Sequence, residues 1–560
     1  MDIVSFTFDH SGRERLKKEP SGSDWPVVYM IHDDVEAYIG ETCSMIERMA
    51  QHLQNSERIK LEELEVLMDH RFNKSAVLDL EQTLIRHCGA DGRFKLQNRN
   101  LGQSSSHDYY QREMYTAMLP DIWRLMLEKD LARKQLYEVR NSNLFKYSPY
   151  TALTPEQRDI AGNVMIDILN TLEFGTRGCS VIHGSAGTGK TVLAISLMFE
   201  LVNSNPSNAN YGYLYIEEAG PIERLTRYIR EHGDLRIGLI VPMSSLRKTL
   251  SVVFRETGNG LKGNMVMGPS DVIGGDYDVL LVDESHRLTQ RKNISYMGSF
   301  DKNCRCLGLN PNVSTQLDWI LHSCRHCVLF YDEDQTVKGS DITPEQFDSA
   351  LGTNRSDYTL KSQLRCLAGD DYPLYIDRVL KGAQPGRLEM TGYDIRLFDD
   401  VEEMASAIRT LDGEIGLCRN VAGYSWKWIS KGKTREQIRS QHLEDIDIDG
   451  HRYVWNMENV EWIIRPESID EIGCIHTTQG YDLNYVGVIF GREIDYDEKT
   501  GRIEVDLSRF YDSNVKKSTP AEKVREYIIN SYKVMMTRGI KGCYVYACNP
   551  GMREYLRRYI

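Results

Sequence analysis

The stretch "CSVIHGSAGTGKTVLAISLMFELV", residues 179–202, restricts the possible folds more than any other part of the chain. A short apolar strand, Ser180 to His183, runs into Gly184-Ser185-Ala186-Gly187-Thr188-Gly189-Lys190-Thr191, and an apolar helix follows. This is G-x-x-x-x-G-K-[ST] in strand–loop–helix order. Gly184, Gly187 and Gly189 let backbone N–H groups turn inward around phosphate oxygens, and the helix N-terminus adds a favourable partial charge. Lys190 is expected to reach the β- and γ-phosphates of ATP, and Thr191 to hold Mg²⁺.

Such a loop needs a carboxylate for the metal and another for the attacking water. "YDVLLVDESHRL" (277–288) supplies both: a buried strand, Val279 to Val282, ends in Asp283-Glu284. Asp283 is expected to support Mg²⁺ and Glu284 to orient or deprotonate water. "YGYLYI" (211–216), "LRIGLIV" (235–241) and "HCVLFYD" (326–332) read as further strands. Strands alternating with helical stretches predict an α/β fold with a parallel sheet, its ligand site at the strands' C-terminal ends, where Gly184, Asp283 and Asp332 fall.

The chain has 560 residues, more than one core holds, so several domains are expected. Hydrophobic residues make up 41% and charged residues 27%, the composition of ordinary globular protein. No apolar run approaches the roughly 20 residues of a membrane helix, and no secretory signal is visible. With those features, the twelve cysteines are expected to be reduced thiols of a cytoplasmic protein. Cys304, Cys306, Cys324 and Cys327 have an unusual spacing for zinc and read as small, partly buried thiols. The net charge of −13 argues against a general nucleic-acid coat but leaves room for a local basic groove. "GYSWKWISKGKTREQIRSQH" (423–442) mixes two tryptophans with basic residues, as stacked bases require. A core tryptophan pair beside a solvated loop accounts for it equally well.

A series of segments then falls in the order of superfamily 1 helicases, which it resembles. "LTPEQRD" (153–159) resembles their Q motif, which implies that Gln157 reads adenine. "LIVPMSSLRKTL" (239–250) resembles the segment that touches single-stranded nucleic acid. "YDEDQTV" (331–337) resembles motif III, with Gln335 linking γ-phosphate to the strand. "KSQLRC" (361–366) resembles motif IV, with Arg365, and "IHTTQGYDLNYVGVIFG" (475–491) motif V. "NSYKVMMTRGIKGCYVYA" (530–547) resembles motif VI, with Arg538. The wording is most similar to the Schlafen group 3-like DNA/RNA helicase family of bacteria, over roughly residues 145–560. The resemblance implies two RecA-like P-loop NTPase lobes with parallel sheets, the second supplying Arg365 and Arg538 to the γ-phosphate.

Upstream, "VVYMIHDDVEAYIGET" (27–42) reads as a β-hairpin with one tyrosine in each arm. Ser44 followed by Glu47 reads as a capping box that starts a helix. Arg48 and His52 share a face of it. "SAVLDLEQTLIRHCGADGRFKLQNRN" (75–100) reads as another helix, with Glu81 inside an apolar stripe. The set Tyr29, Tyr38-Ile39-Gly40, Arg48, His52, Glu81 and Asn98 resembles the small α/β GIY-YIG nuclease domain. That resemblance implies that Glu81 binds one metal ion, Mg²⁺ or Mn²⁺. It implies that Tyr29, helped by Tyr38 or His52, activates water, that Arg48 stabilises the pentavalent phosphate and that Asn98 supports the site.

The expected organisation is an N-terminal segment (1–24), polar and loosely ordered, and a GIY-YIG nuclease-like domain (25–102). A mostly helical connector (103–150), a first lobe that binds ATP (151–345) and a second lobe (346–560) follow. The expected activity is that of an ATP-dependent helicase–nuclease acting on single- or double-stranded DNA, with no membrane partner. The fusion is associated with defence against foreign DNA, in which a second copy or a defence-system protein is the further partner. The same residues also accommodate an ATP-switched remodelling protein that does not cut, or the same enzyme acting on RNA.

Overall fold

The computed structural model describes the chain apart from residues 20–23, 99–108, 152, 186, 205–218, 259, 293, 295, 334–339, 363–366, 368, 370, 458–461, 479–481, 513–514 and 517–519. The segment 211–216, expected to be a strand, and the candidate residues Gln335 and Arg365 lie outside the described residues. The chain divides into two compact units. One comprises Met1–Leu169, Val192–Ile237 and Thr249–Met265; the other comprises Asn170–Thr191, Gly238–Lys248 and Val266–Ile560.

The first unit carries a five-stranded sheet of β1 (Asp2–Thr7), β2 (Val27–His32), β3 (Glu36–Thr42), β4 (Glu63–Met68) and β5 (Lys95–Leu96), in the order β1-β4-β2-β3-β5. The hairpin β2–β3 forms where expected. The Asp33 carboxylate closes its turn, accepting from Val35 N at 2.7 Å and Glu36 N at 2.6 Å. The long helix Lys74–Asp91 is capped by the Asn73 side chain and ends at Gly92 with φ 72°. Its apolar residues Ala76, Val77, Leu80, Leu84 and Ile85 are buried, and it carries Glu81 inward with them.

Two expectations need correction. Residues 1–24 are not a loose leader, for β1 pairs antiparallel with β4 over its whole length and helix His10–Leu16 follows it. The pairing partner lies some sixty residues away, so nothing local announces it. Ser44 occupies the N-cap of helix Met45–His52 but makes no side-chain capping bond, so the capping box does not form. Residues 109–150 form short helices that are clasped to the N-terminal sheet and to the helix Lys74–Asp91. The Asp91 carboxylate accepts the backbone N–H groups of Arg133 and Lys134, and the Tyr115 hydroxyl donates to Arg71 O at 2.5 Å.

The second unit holds two further sheets. One contains β6 (Gly178–Gly184), β7 (Ile237–Ile240), β8 (Val266–Met267), β9 (Tyr277–Val282), β10 (Cys324–Tyr331) and β11 (Ser356–Leu360), in the order β11-β6-β10-β9-β7-β8. Strands β11, β6, β10 and β9 run parallel. Val279 to Val282 are all fully buried, and each such side chain contributes roughly 1.5–3 kcal/mol. Strand β11 places the first lobe's limit beyond Leu360 rather than at 345. Its residues are mostly half-exposed or exposed, so the sequence there shows no apolar run.

The third sheet contains β12 (Asp394–Leu397), β13 (Cys418–Ala422), β14 (Ile446–Ile448), β15 (His451–Trp455), β16 (Glu471–Gly473), β17 (Leu483–Phe490) and β20 (Gly539–Ala547). Their order is β12-β20-β17-β13-β16-β15-β14, and only β14 is antiparallel to its neighbour. Strands β18 (Ile494–Asp497) and β19 (Arg502–Val505) form a separate hairpin. Two parallel-strand sheets with helices between them make this an α/β fold. No helix among the described residues is long and apolar enough to cross a membrane.

The cysteines and tryptophans settle into packing roles. Cys304 Sγ accepts from Trp319 Nε1 at 3.1 Å, Cys327 is fully buried in β10, and Cys306 is exposed. Trp426 is buried, and the half-buried Trp428 lies against Trp455 with ring centres 5.9 Å apart.

Candidate functional site

The phosphate loop leaves β6, which lies between β11 and β10 in its sheet. Gly187 and Gly189 take φ 90° and 80°, left-handed values that a side chain resists. A Cβ on Gly184 would lie 2.6 Å from Thr188 Oγ1. Lys190 Nζ is held by three oxygens: Gly184 O at 2.6 Å, Ser185 O at 2.9 Å and Asp332 Oδ2 at 2.9 Å. Asp332 stands at the end of β10, the parallel neighbour of β6, so the ion pair follows from strand order. The sequence placed Asp332 at a strand end but not against Lys190.

Thr191 Oγ1 donates to Asp283 Oδ2 at 2.8 Å, which joins the loop to the end of β9. Asp283 is completely buried; that burial, with the charge of Glu284 beside it, raises its carboxyl above the usual range. A half-buried hydroxyl beside an oxygen-only acceptor whose ionisation is penalised fits a hard divalent cation, which relieves that penalty. Glu284 has φ 52°, a strained backbone for a side chain of its size. Burial opposes its ionised form, yet His286, with its Nε2 3.0 Å from Glu284 Oε2, and the Lys190 and Arg287 charges hold the carboxyl well below its ordinary range. Arg287 is itself anchored to Asp341 at 3.0 Å. His286 and Arg287 were missed, although both stand in the quoted "DESHR".

Four of the expected motor residues, Lys190, Thr191, Asp283 and Glu284, thus lie together. Arg538 is buried in the same unit at the start of β20, where its carbonyl accepts from Leu483 N. Gln157 belongs to the first unit. It is buried at the start of helix Pro155–Phe174 and forms a reciprocal cap with Thr154: its Oε1 accepts Thr154 N at 3.0 Å and its own N–H bonds Thr154 Oγ1 at 3.2 Å.

A second group of candidate residues assembles around the hairpin. Tyr29 on β2 faces Gly40 on β3, and a Cβ on Gly40 would lie 2.4 Å from the Tyr29 hydroxyl. Glycine in the Tyr38-Ile39-Gly40 run is therefore a requirement of the tyrosine opposite. The Tyr29 hydroxyl lies 2.7 Å from His52 Nε2 and accepts from Arg48 Nε at 3.1 Å. Tyr38 lies edge-on to His52, with ring centres 5.1 Å apart. Asn98 pins β3 by exchanging both amide bonds with the backbone of Ile39, at 2.9 and 2.7 Å.

Burial raises the Tyr29 phenol well above its ordinary range, partly offset by Arg48. Burial also pushes Glu81 up to about 7, and the nearby Glu41 adds to it. Glu41 is in turn paired with Lys74. Lys74 and Arg48 offset that penalty only in part, and a carboxylate so penalised fits a single divalent metal ion. Glu41 and Arg58 were not among the residues expected here. The Arg58 guanidinium lies 3.8 Å from the centre of the Tyr38 ring and 3.0 Å from His52 Nδ1.

Residues 177–549 match the family model described as Schlafen group 3, DNA/RNA helicase domain. An uncharacterized protein of Saccharomyces cerevisiae is 30% identical over 416 residues, covering 68% of this chain and 83% of that one. The likeness is therefore not confined to bacteria. Among solved structures, the Pif1 helicase of Candida albicans covers 73% of this chain and 99% of its own, at 11% identity and a TM-score of 0.26. A structure of two coordinating Pif1 helicases at forked duplex DNA covers 72% of this chain and 94% of its own, at 9% identity and a TM-score of 0.26.

Proposed function

The chain belongs to the Schlafen group 3, DNA/RNA helicase domain family, and from that premise we propose that it is an ATP-dependent helicase or translocase whose N-terminal domain is a metal-dependent GIY-YIG endonuclease acting on DNA. The observation that carries the motor is the meeting of Lys190, Thr191, Asp283 and Glu284 at the ends of β6 and β9, the two parallel strands that flank β10. Lys190 would exchange Asp332 for ATP phosphates, Thr191 and Asp283 would hold Mg²⁺, and Glu284, oriented by His286, would accept a proton from the attacking water. Gln157 is the candidate reader of adenine. Gln335, Arg365 and Arg538 are the candidates that carry the state of the γ-phosphate to the bound strand.

The observation that supports a nuclease is the cluster of Tyr29, Arg48 and His52, in the same small domain as a buried Glu81. Glu81 would hold one Mg²⁺ or Mn²⁺, which supplies Lewis acidity at the scissile phosphate. Tyr29 would take a proton from water, and Arg48 would face the charge that develops on phosphorus. A motor that delivers DNA to such a site suits the destruction of foreign DNA.

Purified protein with Mg²⁺ should be tested on plasmid, linear duplex and single-stranded DNA and on RNA, with and without ATP, beside Lys190→Ala and Glu81→Ala. Cleavage lost in Glu81→Ala, and dependent on ATP only while Lys190 is present, is the expected result. ATP turnover stimulated by a strand without cleavage of any substrate would leave a motor with an N-terminal docking module. Turnover stimulated by RNA and not by DNA would move the substrate to RNA, which the family description also covers.

A further inference from the structure

We propose that Arg58 is a positioning residue of the nuclease site: by donating to His52 Nδ1 it fixes the imidazole as its Nε2–H tautomer, so that His52 donates a hydrogen bond to the Tyr29 oxygen instead of accepting one. This rests on the nuclease reading of the N-terminal domain. Arg58 begins the short turn Arg58–Lys60, where the Asn55 side chain accepts its backbone N–H at 3.1 Å. Its guanidinium sits over the Tyr38 ring, and one of its nitrogens is 3.0 Å from His52 Nδ1.

A guanidinium has N–H donors and no acceptor. His52 Nδ1 must therefore present its lone pair to Arg58. A neutral imidazole has one N–H, and with Nδ1 bare that proton is on Nε2. The nitrogen 2.7 Å from the Tyr29 oxygen is thus a donor. Burial and the two neighbouring guanidiniums, Arg58 and Arg48, keep His52 neutral, lowering it to about 3.

Tyr29 then receives two hydrogen bonds at one oxygen, from His52 Nε2–H and from Arg48 Nε–H, the latter at 3.1 Å. Two donors and a nearby cation favour the phenolate over the phenol and offset part of the cost of burying it. A histidine beside a tyrosine could assist it by taking its proton. With Nε2 protonated it cannot do so. In the hydrolytic step the Tyr29 phenolate takes one proton from water. The resulting hydroxide oxygen forms the new P–O bond, and the P–O bond to the leaving oxygen breaks. The leaving oxygen takes its proton from solvent, the Tyr29 phenol later returns its proton to solvent, and His52 keeps its own throughout.

The test uses the full chain labelled with ¹⁵N-histidine, with the His52 signals assigned by their loss in His52→Gln. Long-range ¹H–¹⁵N correlation reports which ring nitrogen is protonated. Wild type is expected to show the Nε2–H form. Arg58→Glu replaces a donor with an acceptor and should invert the tautomer, lowering kcat for cleavage by about 10²-fold at unchanged KM. Arg58→Lys retains a donor and should keep both the tautomer and most of the rate. An Nδ1–H form in wild type, or an unmoved tautomer in Arg58→Glu, overturns the proposal. So does an inverted tautomer with undiminished cleavage. If wild type cuts nothing, the nuclease reading fails, and the spectrum still decides the Arg58–His52 contact.

Discussion

Gly40→Ala is the smallest perturbation that reaches the Tyr29 oxygen. The added Cβ would lie 2.4 Å from that oxygen, 2.5 Å from Tyr29 Cζ and 3.0 Å from Tyr38 Cε1. Ordinary contact begins at 3.4 Å, so the ring carbon must retreat by 0.9 Å (3.4 − 2.5). Tyr29 is 1% exposed and cannot swing into solvent, so strand or ring must shift within the core. Overpacking of this kind costs about 1–3 kcal/mol. If the hydroxyl moves with the ring, its 2.7 Å contact with His52 opens to roughly 3.6 Å, beyond hydrogen-bonding range. A misplacement near 1 Å costs about 10²-fold in rate. Initial rates of DNA cleavage should therefore fall about 10²-fold in Gly40→Ala, with circular dichroism confirming the fold. ATP turnover should be unchanged, because Lys190 and Asp283 lie in the other unit. Cleavage at the wild-type rate by a folded Gly40→Ala protein would refute this account of the hairpin.

Other perturbations test other contacts. Asp332→Asn leaves the Lys190 ammonium buried without its carboxylate, a loss of about 3–5 kcal/mol. Thermal unfolding should show a lower melting temperature without nucleotide, and Mg·ATP should restore part of it. His286→Ala frees the Glu284 carboxylate, and steady-state assays should show ATP turnover down about 10²-fold at little-changed KM. Burial lowers His87 to about 4, against Trp123 and Phe145, while its Nδ1 donates to Thr83 O. Its folded value lies below the unfolded one, so its contribution is full above pH ~6.5 and is lost as pH falls toward about 4. Acid melts of wild type should lose stability across that window, and His87→Gln should flatten the curve.

What the sequence revealed was local. The phosphate loop, the Asp283-Glu284 pair and the β2–β3 hairpin each declare themselves within a few residues, because glycine placement, strand ends and turn chemistry are short-range. What it concealed depends on distant partners. Strand β1 needs β4 to be recognised, and half-exposed β11 lacks the apolar run that marks β9. Arg58 has an ordinary place in a polar turn, and only the folded hairpin brings Tyr38 and His52 beneath it. Asp332 was visible at its strand end, but its pairing with Lys190 follows from β10 lying beside β6. Ser44 shows the opposite failure: the right residue types at the right spacing did not make the expected bond.

The clasp of Asp91 on the backbone of Arg133 and Lys134 bears on how such a domain can be inherited. A recombination event that transferred only residues 25–102 would deliver a sheet stripped of β1 and a carboxylate stripped of its two N–H donors. It would also remove Trp123 from the side of His87. The smallest exchangeable piece therefore runs at least from β1 through the helix Asn143–Lys146, whose Phe145 carbonyl accepts from Arg86. Genomes that shuffle such N-terminal domains among motors would be expected to move this longer segment whole, with breakpoints beyond Lys146.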